Sequence, residues 1–217
     1  MDGCGGVLVS PSVVLTAAHC GNKTDTTVIV GAYYQSDNKK NREESGAVVR
    51  RCARWIEDPT WRYDVVTEND PDNFNIIFKI GKKIPAFTND FAVCYLDTPV
   101  NQNGPLPILL NQDPYVPLSS EAQVTVIGLG STSSNGGSSP STLLEVTNPV
   151  IDNVDCQRRF TTTDTTITER NRIYESDLCS GSFQKDACGG DSGGPLILKP
   201  TPTQGDTHAG HLLVGYV

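Results

Sequence analysis

The chain has 217 residues, of which 37% are apolar, with 20 glycines and 14 prolines. That length holds one large β domain or two small ones, and the glycine and proline content favours many turns over long helices. A net charge of −8 argues against a nucleic-acid binder, which would present a basic face, and no run of about 20 apolar residues is present to span a membrane.

The opening Met1-Asp2-Gly3-Cys4 has neither the basic start nor the apolar core of a signal peptide, so the expectation is either that the signal lies upstream of this sequence or that the protein is not exported. Val7-Leu8-Val9 and Val13-Val14-Leu15 flank Ser10-Pro11-Ser12 and read as a hairpin. The apolar run ends in Thr16-Ala17-Ala18-His19-Cys20, and Asn22-Lys23-Thr24 follows as a glycosylation sequon, consistent with secretion. Strands are expected at Val28-Ile29-Val30, Val48 to Arg54, Phe91 to Leu96, Val124 to Gly128 and Leu212 to Val217. Glu43-Glu44 reads as a solvated turn rather than part of a calcium loop, since no calcium-ligand pattern is visible around it. From Asp58 to Asn89 the chain is long and polar, with a local apolar cluster at Ile76-Ile77-Phe78, and reads as an accessory surface loop. The Pro-rich connector from Asn111 to Pro117 is the expected boundary between residues 1–112 and 113–217. The segment Asp152 to Phe160 is the one expected helix, with Asp152 as N-cap. The pattern as a whole is all-β in two halves.

Seven cysteines are present and none forms a C-x-x-C pair, so no structural zinc or other metal is expected. Their wide spacing fits disulfides made in an oxidising, extracellular compartment, and the odd count leaves at least one thiol unpaired. Ser192 stands in Gly190-Asp191-Ser192-Gly193-Gly194-Pro195. A serine hydroxyl is a poor nucleophile at neutral pH and needs a base. Histidine suits that work, and a carboxylate can hold the imidazole in the right tautomer.

The His19 and Ser192 stretches, with Asn89-Asp90-Phe91-Ala92-Val93 and Val126-Ile127-Gly128-Leu129-Gly130-Ser131-Thr132, make the chain resemble a trypsin-like (chymotrypsin-fold) serine endopeptidase over nearly its whole length. The resemblance implies two antiparallel β-barrels of the six-stranded type, the first (1–112) carrying His19 and Asp90, the second (113–217) Ser192 and the specificity pocket. It implies that Ser192 attacks the scissile carbonyl, His19 is general base and then acid, and Asp90 orients His19. The backbone amides of Gly190 and Ser192 would form the oxyanion hole. Asp186, six positions before Ser192, would lie at the base of the specificity pocket and favour Arg or Lys before the cut bond. Cys4 would pair with Cys20, and Cys156 with Cys179; Cys188 has no family partner within this chain. Cys52 with Cys94 is a further expected bridge, inferred because their strands would be neighbours. Polypeptide substrates and protein protease inhibitors are the expected partners, the protein is expected to be monomeric, and no cofactor is implied.

Relatives in this family start with a freshly cut Ile or Val amine upstream of the Cys4 position and continue past the Val217 position. Hence the expectation that this chain is a fragment with incomplete barrels, in which Asp191, lacking an ammonium partner, is a costly unpaired carboxylate in a loosened pocket. The alternative expectation is a non-catalytic homologue that binds peptides or inhibitors, or an inert fragment. A nucleophile-elbow hydrolase would need Asp206 and His208 or His211 to follow Ser192, but only 25 residues remain and Leu196-Ile197-Leu198 reads as a strand, not a helix. His208-Ala209-Gly210-His211 reads as a loop before the last strand rather than a metal pair, and Gly128-x-Gly130 resembles a dinucleotide turn only superficially.

Overall fold

The computed structural model describes residues 3–36, 38–61, 89–112, 122–133, 139–161, 173–199 and 210–217. Within them the chain forms strands β1 (Val7–Ser10), β2 (Val13–Thr16), β3 (Thr27–Val30), β4 (Val48–Glu57), β5 (Ala92–Leu96), β6 (Leu109–Leu110), β7 (Gln123–Gly128), β8 (Leu144–Ile151), β9 (Cys179–Ser180), β10 (Pro195–Leu198) and β11 (Leu212–Tyr216). Two short α-helices accompany them, α1 (Lys39–Ser45) and α2 (Asn153–Thr161).

The strands make two curled sheets. The first is antiparallel, in the order β1-β2-β5-β4-β3; the second runs β6-β11-β10-β7-β8-β9, with one parallel pair, β6 on β11. This is the trypsin-like double β-barrel plan. Alternation drives it: Ala92, Cys94 and Leu96 of β5 are buried, and Cys94 and Leu96 meet Leu8, Val14, Val30, Cys52 and Val100 in the first core. Val124, Val126, Val150 and Leu196 build the second core. A third cluster joins the two halves, with Val7 of β1 packed against Ile197 of β10 and Leu213 of β11.

All three expected disulfides are present: Cys4–Cys20, Cys52–Cys94 and Cys156–Cys179. Cys188 is free. Asp152 caps α2 as expected, its carboxylate accepting from Val154 N at 2.8 Å. Glu43 and Glu44 do not sit in a turn. They lie on α1, a polar helix begun by Asn38, whose side chain accepts from Asn41 N, and ended by Gly46 in the left-handed region. β8 was also not expected; Asn148-Pro149 lies inside it. Most of the Asp58 to Asn89 segment, the connector beyond residue 112, Asp206 and His208 lie outside the described residues. No helix among the described residues is long and apolar enough to cross a membrane.

Candidate active site

β2 leads into a single 3-10 turn, Ala18–Cys20, that carries His19. The residues just before β5 carry Asp90. Because β2 and β5 are hydrogen-bonded neighbours, Thr16 against Ala92, the two approaches end side by side. Ala18 N donates to Asp90 O at 3.2 Å. The Asp90 carboxylate then grips His19 twice: Oδ1 accepts from His19 N at 2.8 Å, and Oδ2 lies 2.6 Å from His19 Nδ1. The carboxylate is mostly shielded, at 16% side-chain exposure, and the imidazole less so, at 35%. A carboxylate at Nδ1 places the proton there and leaves Nε2 as the basic nitrogen.

The floor beneath this pair is apolar. Ala18, Ala92 and Trp61 are buried together, with Trp55 against them. Trp61 was not singled out in the sequence, although it fixes both approaches at once. Its turn also ties down the base of the accessory segment. Trp61 N donates to Asp58 O, Asp58 N to Phe91 O, and Asn89 Nδ2 to Thr60 Oγ1 at 2.7 Å.

Ser192 lies between β9 and β10 in a turn that touches the histidine strand. Gly5 N donates to Ser192 O at 2.7 Å, and Thr16 Oγ1 donates to Gly5 O at 2.8 Å. Gly193 has φ 77°, and a Cβ there would stand 2.7 Å from Gly5 O and 2.9 Å from Ala17 N, so only glycine fits. Gly193 N and Gly194 O both pair with the backbone of Val217. No hydrogen bond joins Ser192 Oγ to His19 among the described residues; such contacts are commonly long before substrate arrives. The amides of Gly190 and Ser192 donate to nothing among the described residues, while their neighbours Asp191 N and Gly194 N are bonded within the turn. Two unengaged amides beside a hydroxyl form a place where developing negative charge can be held.

Asp191 corrects an expectation. It is not an unpaired carboxylate: Oδ1 accepts from Gly130 N at 2.8 Å and Oδ2 from Cys188 N at 2.9 Å. The glycines of Gly128-x-Gly130 have their reason here. A Cβ on Gly130 would stand 2.5 Å from Asp191 Cγ and Oδ1, and one on Gly128 would also collide with Oδ1. The motif that resembles a dinucleotide turn is a socket for a carboxylate.

Asp186 is exposed, and its carboxylate accepts from Ala187 N at 2.8 Å. The turn before it is anchored from the core. Buried Asn148 of β8 accepts from Ser182 Oγ at 2.7 Å and donates to Lys185 O at 3.5 Å. Asn148 was not read from the sequence as part of the site. Tyr216 of β11 is paired with Pro195, three residues after Ser192. Burial, then the charges of Asp90, Asp177 and Asp58, push its hydroxyl up to about 12. Cys4, His19 and Cys20 are close enough to suggest a metal group, but both thiols are already in the Cys4–Cys20 bridge. His211 lies in the loop before β11, as expected.

The chain matches the trypsin family over residues 1–212. It is 34% identical over 201 residues to the serine protease filzig of Drosophila melanogaster, a match covering 90% of this chain and 10% of that protein. It is 29% identical over 215 residues to the CLIP domain-containing serine protease B10 of Anopheles gambiae, covering 90% and 50%. Against the venom peptide isomerase heavy chain of Agelenopsis aperta the identity is 30% over 201 residues, covering 89% and 70%. The chain thus spans a tenth of the first of these proteins and half of the second. A family match across almost every residue, on two curled sheets with the serine turn set against the strand that leads to the histidine turn, places this chain in the trypsin family.

Proposed function

We propose that this chain is the catalytic portion of a secreted serine endopeptidase, organised as an N-terminal unit of residues 1–112 and a C-terminal unit of residues 113–217. Ser192 Oγ attacks the carbonyl carbon of the scissile bond as its proton passes to His19 Nε2. The amides of Gly190 and Ser192 hold the resulting oxyanion. His19 returns the proton to the leaving amine, and water, deprotonated by the same imidazole, releases the acyl group from Ser192. Asp90 keeps the imidazole in the useful tautomer and stabilises it once charged. The observation that carries this reading is the double grip of Asp90 on His19, at 2.8 and 2.6 Å, next to a serine turn with two free amides. Asp186 favours Arg or Lys before the cut bond by charge pairing.

One observation favours the second reading, a non-catalytic homologue. Asp186 is open to solvent among the described residues rather than enclosed. The two readings part in one experiment on the full-length parent protein. A fluorophosphonate should label Ser192, Ser192→Ala should abolish labelling, and Asp90→Asn should lower turnover by about 10⁴-fold. Peptide reporters with Arg should be cut in preference to Leu, and Asp186→Ser should erase that preference. An unlabelled wild type would remove the catalytic reading and leave the binding one.

A further inference from the structure

Asn22-Lys23-Thr24 is the sole Asn-x-Ser/Thr sequence in the chain, and it begins three residues after His19. Both Asn22 and Thr24 are exposed. Asn22 Oδ1 accepts from Thr24 N at 2.8 Å, whereas its Nδ2 has no partner among the described residues. The loop is held rather than loose. Gly21 N donates to Ala18 O, Thr26 N to Lys23 O, Asp25 N to Cys52 O and Cys52 N to Thr26 O, and the Cys4–Cys20 bridge closes its near end. Three disulfides place the chain's chemistry in an oxidising compartment, where oligosaccharide transfer to asparagine also takes place.

We propose that Asn22 carries an N-linked glycan that screens the His19 side of the cleft from large molecules. The donor is a lipid-linked diphospho-oligosaccharide. Asn22 Nδ2 forms a bond to the sugar C1 as the C1–O bond to the diphosphate breaks. The lipid diphosphate leaves with the electron pair, and the amide nitrogen gives up one proton to the transferase. Oδ1 is untouched, so the contact with Thr24 N survives and the folded loop accommodates the modified side chain. Three residues reach at most about 11 Å, so the glycan root lies that close to His19. A branched oligosaccharide extends well past that distance. Short peptides pass beneath it, and a protein inhibitor or folded protein substrate must displace it. This shielding rests on the protease reading; the modification does not.

The test uses the full-length parent protein secreted from a eukaryotic host, as wild type, Asn22→Gln, Thr24→Ala and Thr24→Ser. Peptide-N-glycosidase should lower the mass of the wild type and of Thr24→Ser, converting Asn22 to Asp, and should leave the other two unchanged. Enzymatic deglycosylation of folded wild type, which needs no variant, should raise the association rate of a protein protease inhibitor several-fold and leave turnover of a short peptide ester unaltered. An unmodified Asn22 in secreted protein with the Cys4–Cys20 bridge formed overturns the proposal. So does a glycosylated Asn22 whose removal changes no inhibitor rate. If the protease reading fails instead, fluorophosphonate labelling is absent in both glycoforms while the mass result stands.

Discussion

Replacing Gly130 with alanine tests whether the Asp191 carboxylate holds the serine turn in place. The backbone at Gly130 is outside the left-handed region, so alanine is conformationally permitted and only space decides. The added Cβ would stand 2.5 Å from Asp191 Cγ and Oδ1, whereas ordinary contact starts at 3.4 Å. The carboxylate must retreat by about 0.9 Å, which is 3.4 less 2.5. Along that line the 2.8 Å bond from Gly130 N stretches to about 3.7 Å and ceases to be a hydrogen bond. Losing a bond to a charged acceptor costs about 1.5–3 kcal/mol, and restricting the unfolded chain returns only about 0.4–1 kcal/mol. A net loss of about 1–2 kcal/mol lowers Tm by roughly 2–8 °C at this chain length. Asp191 lies between Gly190 and Ser192, so its displacement also moves both free amides, and kcat should drop by about 10²–10³. Calorimetry and active-site titration of the full-length parent protein read the two effects. Gly189→Ala is the control, since its Cβ would meet nothing within 4 Å. A Gly130→Ala protein with wild-type Tm and kcat would refute the reasoning, as would equal damage from Gly189→Ala.

Two further outcomes are expected. The Tyr216 hydroxyl, raised to about 12 by burial and nearby carboxylates, keeps its proton in the folded state at a pH where the unfolded chain, near 10, has lost it. Its contribution to stability is therefore complete below about pH 10 and declines as pH rises towards 12, and Tyr216→Phe should flatten that alkaline limb of a Tm profile. An unaltered limb would count against it. Asn148→Leu leaves Ser182 Oγ without its acceptor and Lys185 O without its donor, at a cost of about 1–3 kcal/mol. The Arg-over-Leu ratio of kcat/KM should shrink while the acylation rate with a small ester holds, and an unchanged ratio would show that the turn before Asp186 does not depend on this side chain.

The parts legible in the sequence were those written in consecutive residues. The β1–β2 hairpin is spelled by two apolar triplets around Ser10-Pro11-Ser12, and Asp152 announces α2 by its position. The histidine and serine stretches were readable for the same reason, and neighbouring strands were enough to pair Cys52 with Cys94. What escaped depended on partners that carry no side-chain label. Asp191 was expected to stand unpaired, yet backbone N–H groups bond both its oxygens, and every residue but proline has one. The reason for the glycines at 128 and 130 was not legible, because the carboxylate they admit arrives 61 positions after Gly130. α1 has no apolar stripe, so only its caps at Asn38 and Gly46 could have revealed it. β8 was hidden by Asn148-Pro149, a pair that ordinarily marks a turn. Here the asparagine is buried and its amide serves the Ser182–Lys185 turn.

The carbonyl of Ser192 is held by Gly5, and the glycines that follow it by Val217. This junction cannot close until the segment before β1 and the end of β11 have both met the serine turn, and contacts between such remote residues form slowly. The backbone around Ser192 therefore lacks its fixed partners through most of collapse. The serine turn is thus among the last parts of the fold to set.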